Sequence, residues 1–244
     1  NDGTGEFFEE ITTPFEGVAF SSVALVDLNT NSTLEAFIMG TNSDSVSVAK
    51  LYVNDGQGNF MEKSGTPFHG TIQGDFAIAD VNSDDIPDIL ITEEVSGTLG
   101  IPKLYLNDGD ANFTEFGDAS FDTLSFSSLE FADVDGNNTQ DVLLIGEDQT
   151  NLPIAKLYLN DGLGNFSQKL VTSFLGAQSG SIAFADVNAV GSQDVFISGR
   201  GAMNTIGTGL YVNDGLGNYT LQVNTPFLNV FNSSVAFADV DTND

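Results

Sequence analysis

One heptapeptide, returning every 53 residues without insertion or deletion, constrains this chain more than any other feature. NDGTGEF at Asn1 becomes NDGQGNF at Asn54, NDGDANF at Asn107, NDGLGNF at Asn160 and NDGLGNY at Asn213. Phe15, Phe68, Phe121, Phe174 and Phe227 keep the same phase, as do Tyr52, Tyr105, Tyr158 and Tyr211. Constant spacing through otherwise divergent sequence means that every copy fills the same volume of one repeated architecture.

Each copy reads as four short strands. Val23–Val26, Phe76–Ala79 and Ile182–Ala185 are apolar with alanines interleaved, the pattern of a first strand sandwiched between neighbours. Ala36–Met39 and Val142–Ile145 supply second strands, and Lys50–Val53 with its copies the third. Asn-Asp-Gly then turns the chain into a fourth strand that begins near Phe60, because Asp and Gly both accept positive φ. No segment sustains a 3.6-residue apolar period. Four strands per repeat of this length predict an all-β chain, a β-propeller of four-stranded blades. Blades fall at about 21–63, 74–116, 127–169 and 180–222, with parts of a further blade at 5–11 and 233–241. That split blade predicts either a polypeptide continuing past the 244 residues or self-assembly in which partner chains supply the missing strands.

Between first and second strands lies an acidic loop at constant phase. It runs from Asp80 through Asn82 and Asp84 to Asp88, and again from Asp133 through Asp135 and Asn137 to Asp141. Oxygens at positions 1, 3, 5 and 9 of a tight turn can converge on a hard cation, and calcium takes about six to eight oxygen ligands, including a carbonyl from position 7. The first copy offers Asp27, Asn29, Asn31 and Glu35, and the fourth Asp186, Asn188 and Asp194, with Val190 breaking position 5. The fifth offers Asp239, Asp241 and Asn243. Position 6, often Gly in calcium loops, holds Ser32, Asp85, Asn138 and Gly191, of which only Ser32 is poorly suited to a left-handed backbone. Isolated loops of this kind also form simply as Asx turns; four or five in phase point to calcium.

Composition narrows the partners. Lys and Arg number 6 against 35 Asp and Glu, a formal charge of −29, which repels nucleic acid and anionic lipid. No apolar run reaches the length of a membrane span, and the absence of cysteine removes disulfide and redox chemistry. His69 is the only histidine, which rules out a His-based triad, and the acid pairs Glu93-Glu94 and Glu147-Asp148 read as solvated loops. No catalytic constellation emerges, so the chain reads as a non-enzyme. Lys50, Lys103 and Lys156 recur on the third strand and are expected to pair with nearby acids. Glu130 replaces the alanine of the other first strands and either lines a central channel or meets a lysine.

Taken together, FADVDGNNTQDVLLIG (Phe131 to Gly146) and KLYLNDGLGNF (Lys156 to Phe166) resemble the FG-GAP/VCBS repeat family, whose blades also build integrin α-subunit propellers. The resemblance covers essentially the whole chain. It implies a propeller, calcium in the inter-strand loops, and adhesion or ligand binding outside the cytoplasm or at the cell surface. Its metal positions carry over to Asp80, Asn82, Asp84 and Asp88, to Asp133, Asp135, Asn137 and Asp141, and less fully to the other loops. A protein or glycan ligand would meet the loop rim, for example Thr41 to Ser47 and Arg200 to Ile206. The alternatives are a structural subunit of an extracellular filament and a lectin-like propeller. The lectin ranks lower, since the chain has no Trp and the loops between second and third strands carry no aromatic residue.

Overall fold

The computed structural model describes Thr4, Glu6 and residues 13–95, 99–117, 121–170 and 173–238. The expected partial strand at 5–11 therefore lies outside the described residues, Glu6 apart. Among the described residues sixteen strands form four sheets, each an antiparallel meander in chain order. Sheet one holds β1 (Val18–Val26), β2 (Glu35–Asn42), β3 (Ser47–Asn54) and β4 (Phe60–Glu62). Sheet two holds β5 (Phe76–Ala79), β6 (Asp88–Val95), β7 (Leu99–Asn107) and β8 (Phe113–Glu115). Sheet three holds β9 (Ser125–Ala132), β10 (Asp141–Glu147), β11 (Pro153–Asn160) and β12 (Phe166–Gln168). Sheet four holds β13 (Gln178–Ala185), β14 (Asp194–Arg200), β15 (Ile206–Asn213) and β16 (Tyr219–Leu221). No helix among the described residues is long and apolar enough to cross a membrane.

The core lies between consecutive sheets, and strand periodicity decides which side chain goes where. Ile89 and Ile91 of β6 pack with Phe37 and Leu51 of sheet one, while Leu90 between them packs with Leu129 and Val142 of sheet three. On β10 the same alternation sends Val142 and Leu144 toward sheet two, and Leu143 and Ile145 toward sheet four. Both faces of a second strand are thus buried, which is why these strands read as unbroken apolar runs. This corrects the reading of the first strand as the doubly sandwiched one. Six consecutive residues of β10 are buried, whereas most of β1 is not. First strands instead border a cavity of about 1030 Å³, lined by residues of β1, β5, β9 and β13 and by Asn232–Val235. Residues 233–238 run along sheet four, where Ser233 meets Ser198 and the Val235 N–H donates to Ser181 Oγ. They form no strand, since the described residues hold no second strand for them to pair with.

The recurring aromatics have a common job. Phe15, Phe68, Phe121 and Phe174 each stand edge-on to the tyrosine of the sheet that follows, Tyr52, Tyr105, Tyr158 and Tyr211, with centroids 5.0 to 5.1 Å apart. Such pairs add about 0.5–1.5 kcal/mol beyond the area they bury. The tyrosine hydroxyl accepts the next backbone N–H in three copies: Glu16 to Tyr52, Asp122 to Tyr158 and Leu175 to Tyr211. Each lead-in segment is so tied to its own sheet.

The Asn-Asp-Gly turns do more than close hairpins. Asp161 accepts from Leu163 N–H and from both nitrogens of Asn165, the pattern repeated at Asp55, Asp108 and Asp214, so it holds the turn. The preceding asparagine crosses between sheets. Asn107 Nδ2 donates to the Leu28 carbonyl of sheet one (2.9 Å), Asn160 to Val81 of sheet two (2.8 Å) and Asn213 to Val134 of sheet three (2.8 Å).

Candidate metal loops

Each loop between first and second strands is wound tightly by its own side chains. In the third, Asp133 accepts from the Gly136, Asn137 and Asn138 N–H groups, at 2.8, 3.1 and 2.9 Å. Asp135 accepts from Asn137 N–H (3.3 Å), and Asn137 Oδ1 accepts from Thr139 N–H (2.7 Å). Asp80 plays the part of Asp133 in the second loop, and Asp27 and Asp186 in the first and fourth. Two residues in each loop must be left-handed to make these bonds. Position 6 is one of them, as expected, with Ser32, Asp85, Asn138 and Gly191 at φ 68°, 65°, 64° and 86°. Position 4 is the other and was not foreseen: Thr30, Ser83, Gly136 and Ala189 have φ 57°, 63°, 76° and 57°. Gly136 and Asn138 suit this path best, and the β-branched Thr30 suits it worst.

The closing carboxylate sits below the loop in the core. Glu35, Asp88, Asp141 and Asp194 are all fully buried. One oxygen of each accepts the N–H of position 2: Leu28, Val81, Val134 and Val187. In Asp88, Asp141 and Asp194 the other oxygen accepts the main-chain N–H of Asn107, Asn160 and Asn213. Glu35 departs: its second oxygen takes Asn29 Nδ2 instead. Burial, together with the neighbouring acids of each loop, pushes Asp88 and Asp141 up to about 6. A carboxylate held there, facing other carboxylates and no cation of the protein, is one whose charge a metal ion would compensate.

The structure brings the predicted ligands together to different degrees. In loop three, carboxylate oxygens of Asp133, Asp135 and Asp141 lie within 4.8 Å of one another, the one such group of three among the described residues. The Asn137 N–H donates to Asp133 and Asp135, while its Oδ1 accepts from the Thr139 N–H and hydroxyl. In loop two, Asn82 Nδ2 donates to Asp84 Oδ2 (2.9 Å), turning the amide nitrogen toward the place where Asn82 would offer an oxygen. Loops one and four have two carboxylates each, Asp27 with Glu35 and Asp186 with Asp194. Val190 of loop four is exposed and contributes only its N–H, to Asp186 and Asn188. Asp239, Asp241 and Asn243 lie outside the described residues. The donor set of loop three, hard oxygens only, fits calcium.

The other singled-out residues find plain roles. Lys50 pairs with Glu16 (2.7 Å) and Glu62 (3.0 Å), Lys103 with Glu115 (3.1 Å) and Glu93 (3.5 Å), and Lys156 with Asp122 (2.5 Å). His69 is an exposed loop residue whose N–H donates to Glu93; Glu93 itself is not the solvated loop acid expected but a buried residue of β6 that accepts the Tyr105 hydroxyl. Glu130 lines the cavity bordered by the first strands and is exposed to it; desolvation by the cavity walls and the charge of Asp75 push it up to about 7. Asp75 shares that cavity; it takes the hydroxyls of Ser22 (2.7 Å) and Ser128 (3.1 Å), and burial raises it above the usual carboxylate range. On the loop rim, Arg200 stacks on Phe231 at 4.3 Å, and Met203 is fully exposed.

What fold and loops define together is an all-β repeat protein of four-stranded sheets, joined face to face and each opening with an acidic loop. No protein-family model matches the chain, and no curated protein does.

Proposed function

We propose that this chain is a β-propeller of the FG-GAP/VCBS kind whose inter-strand loops hold calcium, and that it serves outside the cell as an adhesion or protein-interaction module. The observation that carries the metal reading is loop three, where Asp133, Asp135 and Asp141 converge under a wrapped backbone in phase with three kindred loops. Four meandering sheets whose first strands border one cavity support the propeller. The module reading rests on what remains after the core and loops are accounted for: variable rim turns on a rigid scaffold, the arrangement that binding surfaces use. Asn-substituted loops suit weak affinity, in the range of extracellular calcium, and the acidic surface tolerates that ionic setting.

Ion binding stabilises the folded state by mass action, since the unfolded loops hold no site. Adding millimolar calcium to chelator-treated protein is therefore expected to raise Tm by roughly 5 °C or more. A melting curve indifferent to calcium, together with no calcium in elemental analysis of the purified protein, would reject the metal reading.

A further inference from the structure

The four loops are joined by one continuous run of buried hydrogen bonds. It begins at Glu35, which accepts from Leu28 N–H (2.9 Å); the Leu28 carbonyl accepts from Asn107 Nδ2, and Asn107 N–H donates to Asp88 (2.9 Å). From Asp88 it passes through Val81 N–H (3.2 Å) and the Val81 carbonyl to Asn160, whose N–H donates to Asp141 (2.8 Å). From Asp141 it passes through Val134 N–H (3.0 Å) and the Val134 carbonyl to Asn213, whose N–H donates to Asp194 (2.8 Å). All ten residues of the run are at most 4% exposed. Each link crosses from the loop of one sheet to the closing carboxylate of the next, and the same asparagine makes both contacts.

We propose that Asn107, Asn160 and Asn213 are positioning residues that couple the loops, so that an ion held in one loop tightens its neighbours and calcium binds cooperatively along the array. This rests on the calcium reading and goes beyond it, since nothing in a single loop requires its neighbours. Ligation fixes the carboxylate of Asp141, and with it the two N–H groups bound to its oxygens, Asn160 and Val134. Asn160 then holds Val81, whose own N–H positions Asp88 in loop two. Val134 likewise holds Asn213 and, through it, Asp194 in loop four. Ordering incurred by the first ion is not incurred again by the second, and by linkage the effect is reciprocal. These bonds lie in a medium where water cannot substitute for a lost partner, so the network moves as a unit.

The decisive measurement is the calcium affinity of loop two, read residue by residue by NMR titration of the Asp84 and Asp85 amides on the full chain. The first variant is Asn137→Ala, which removes a ligand from loop three without changing the charge of the chain; loss of the dication there would by electrostatics alone strengthen binding at loop two, opposite in sign to the coupling. Coupling predicts that this change weakens calcium binding at loop two by about 5-fold or more, the lower end of common coupling energies. In an Asn160→Ala background, Asn137→Ala should have no further effect on loop two. Loop-two affinity unchanged by Asn137→Ala, with calcium still bound in the wild type, overturns the coupling and leaves the metal reading intact. Absence of calcium-dependent shifts in every wild-type loop overturns both. Should Asn160→Ala not fold, Asn137→Ala alone decides.

Discussion

Asn160 and Val81 stand 79 residues apart and are joined by a 2.8 Å hydrogen bond between the asparagine amide and the valine carbonyl. The same amide reaches Gln140 O at 3.1 Å, so one buried side chain satisfies two carbonyls from different sheets. Removing it takes the amide partner from both, a buried bond at Val81 and a part-buried one at Gln140. Asn160→Ala is expected to cost about 3 kcal/mol, read as a lowered urea midpoint. Asn54, the same position in sheet one, donates its Nδ2 to the Leu34 carbonyl of its own sheet, at 3.3 Å and exposed, while its Oδ1 accepts from Gly56 and Gly58 within the turn. Asn54→Ala should cost about 0.5 kcal/mol, and equal losses at the two sites would contradict this account of the junction.

The loops should rank by their ligands. Asp133→Ala removes a carboxylate from the converged group of loop three, whereas Asp186→Ala acts on a loop already interrupted by Val190. The expected result is that Asp133→Ala abolishes most of the calcium-dependent rise in Tm and Asp186→Ala little of it. Calorimetric titration of both variants checks the order, and the reverse order would point to a different principal site.

Backbone strain at position 4 can be tested without touching a ligand. Gly136 has φ 76°, and a Cβ there would meet only Gly215 O at 3.7 Å, an ordinary contact. Gly136→Ala should therefore cost about 1 kcal/mol through the left-handed backbone alone. Ala189, at φ 57° in the corresponding place of loop four, is the converse case. Ala189→Gly should stabilise by about 0.5 kcal/mol, the relief of strain being partly offset by the greater freedom of Gly in the unfolded chain. Chemical denaturation of the pair checks both signs.

Glu130 makes a pH-dependent prediction. Exposed to the cavity, its carboxyl is raised from an ordinary 4.5 to about 7 by desolvation at the cavity walls first and by Asp75 second. Between those values the folded chain holds a proton that the unfolded chain has released. The associated stability is therefore full below about 4.5 and is lost as pH rises through 7. Glu130→Gln, neutral throughout, should raise Tm at pH 8 and leave it nearly unchanged at pH 5. The same shift at both values would show that the side chain acts by shape and not by charge.

Much of this was legible because the repeat carries it. Strand number, strand order within a sheet, the hairpin turns and the phase of each candidate ligand follow from a 53-residue period and local turn chemistry. What escaped depended on partners in other copies. The asparagine of Asn-Asp-Gly read as part of a hairpin, and its Oδ1 does accept the turn glycine's N–H; what the turn left hidden is the Nδ2 bond to the neighbouring sheet. The left-handed position 4 was hidden because Thr30, Ser83 and Ala189 are not residues that announce positive φ.

The sequence by itself determined the local units: which segments alternate as strands, where each chain reversal falls, and which oxygens share a loop. These are short-range matters, settled by side-chain period and by the conformations Asn, Asp and Gly permit. Only the tertiary structure decided which strand would be buried on both faces. An apolar run of four residues is equally consistent with β1 and β2, and the choice depends on whether a cavity or another sheet lies beside it. It also decided that Asp133, Asp135 and Asp141 converge while loop two turns Asn82 Nδ2 inward, since rotamers answer to packing and not to spacing. Glu130 faces the cavity, and Asn160 reaches sheet two, because consecutive sheets stack face to face and their first strands border one cavity.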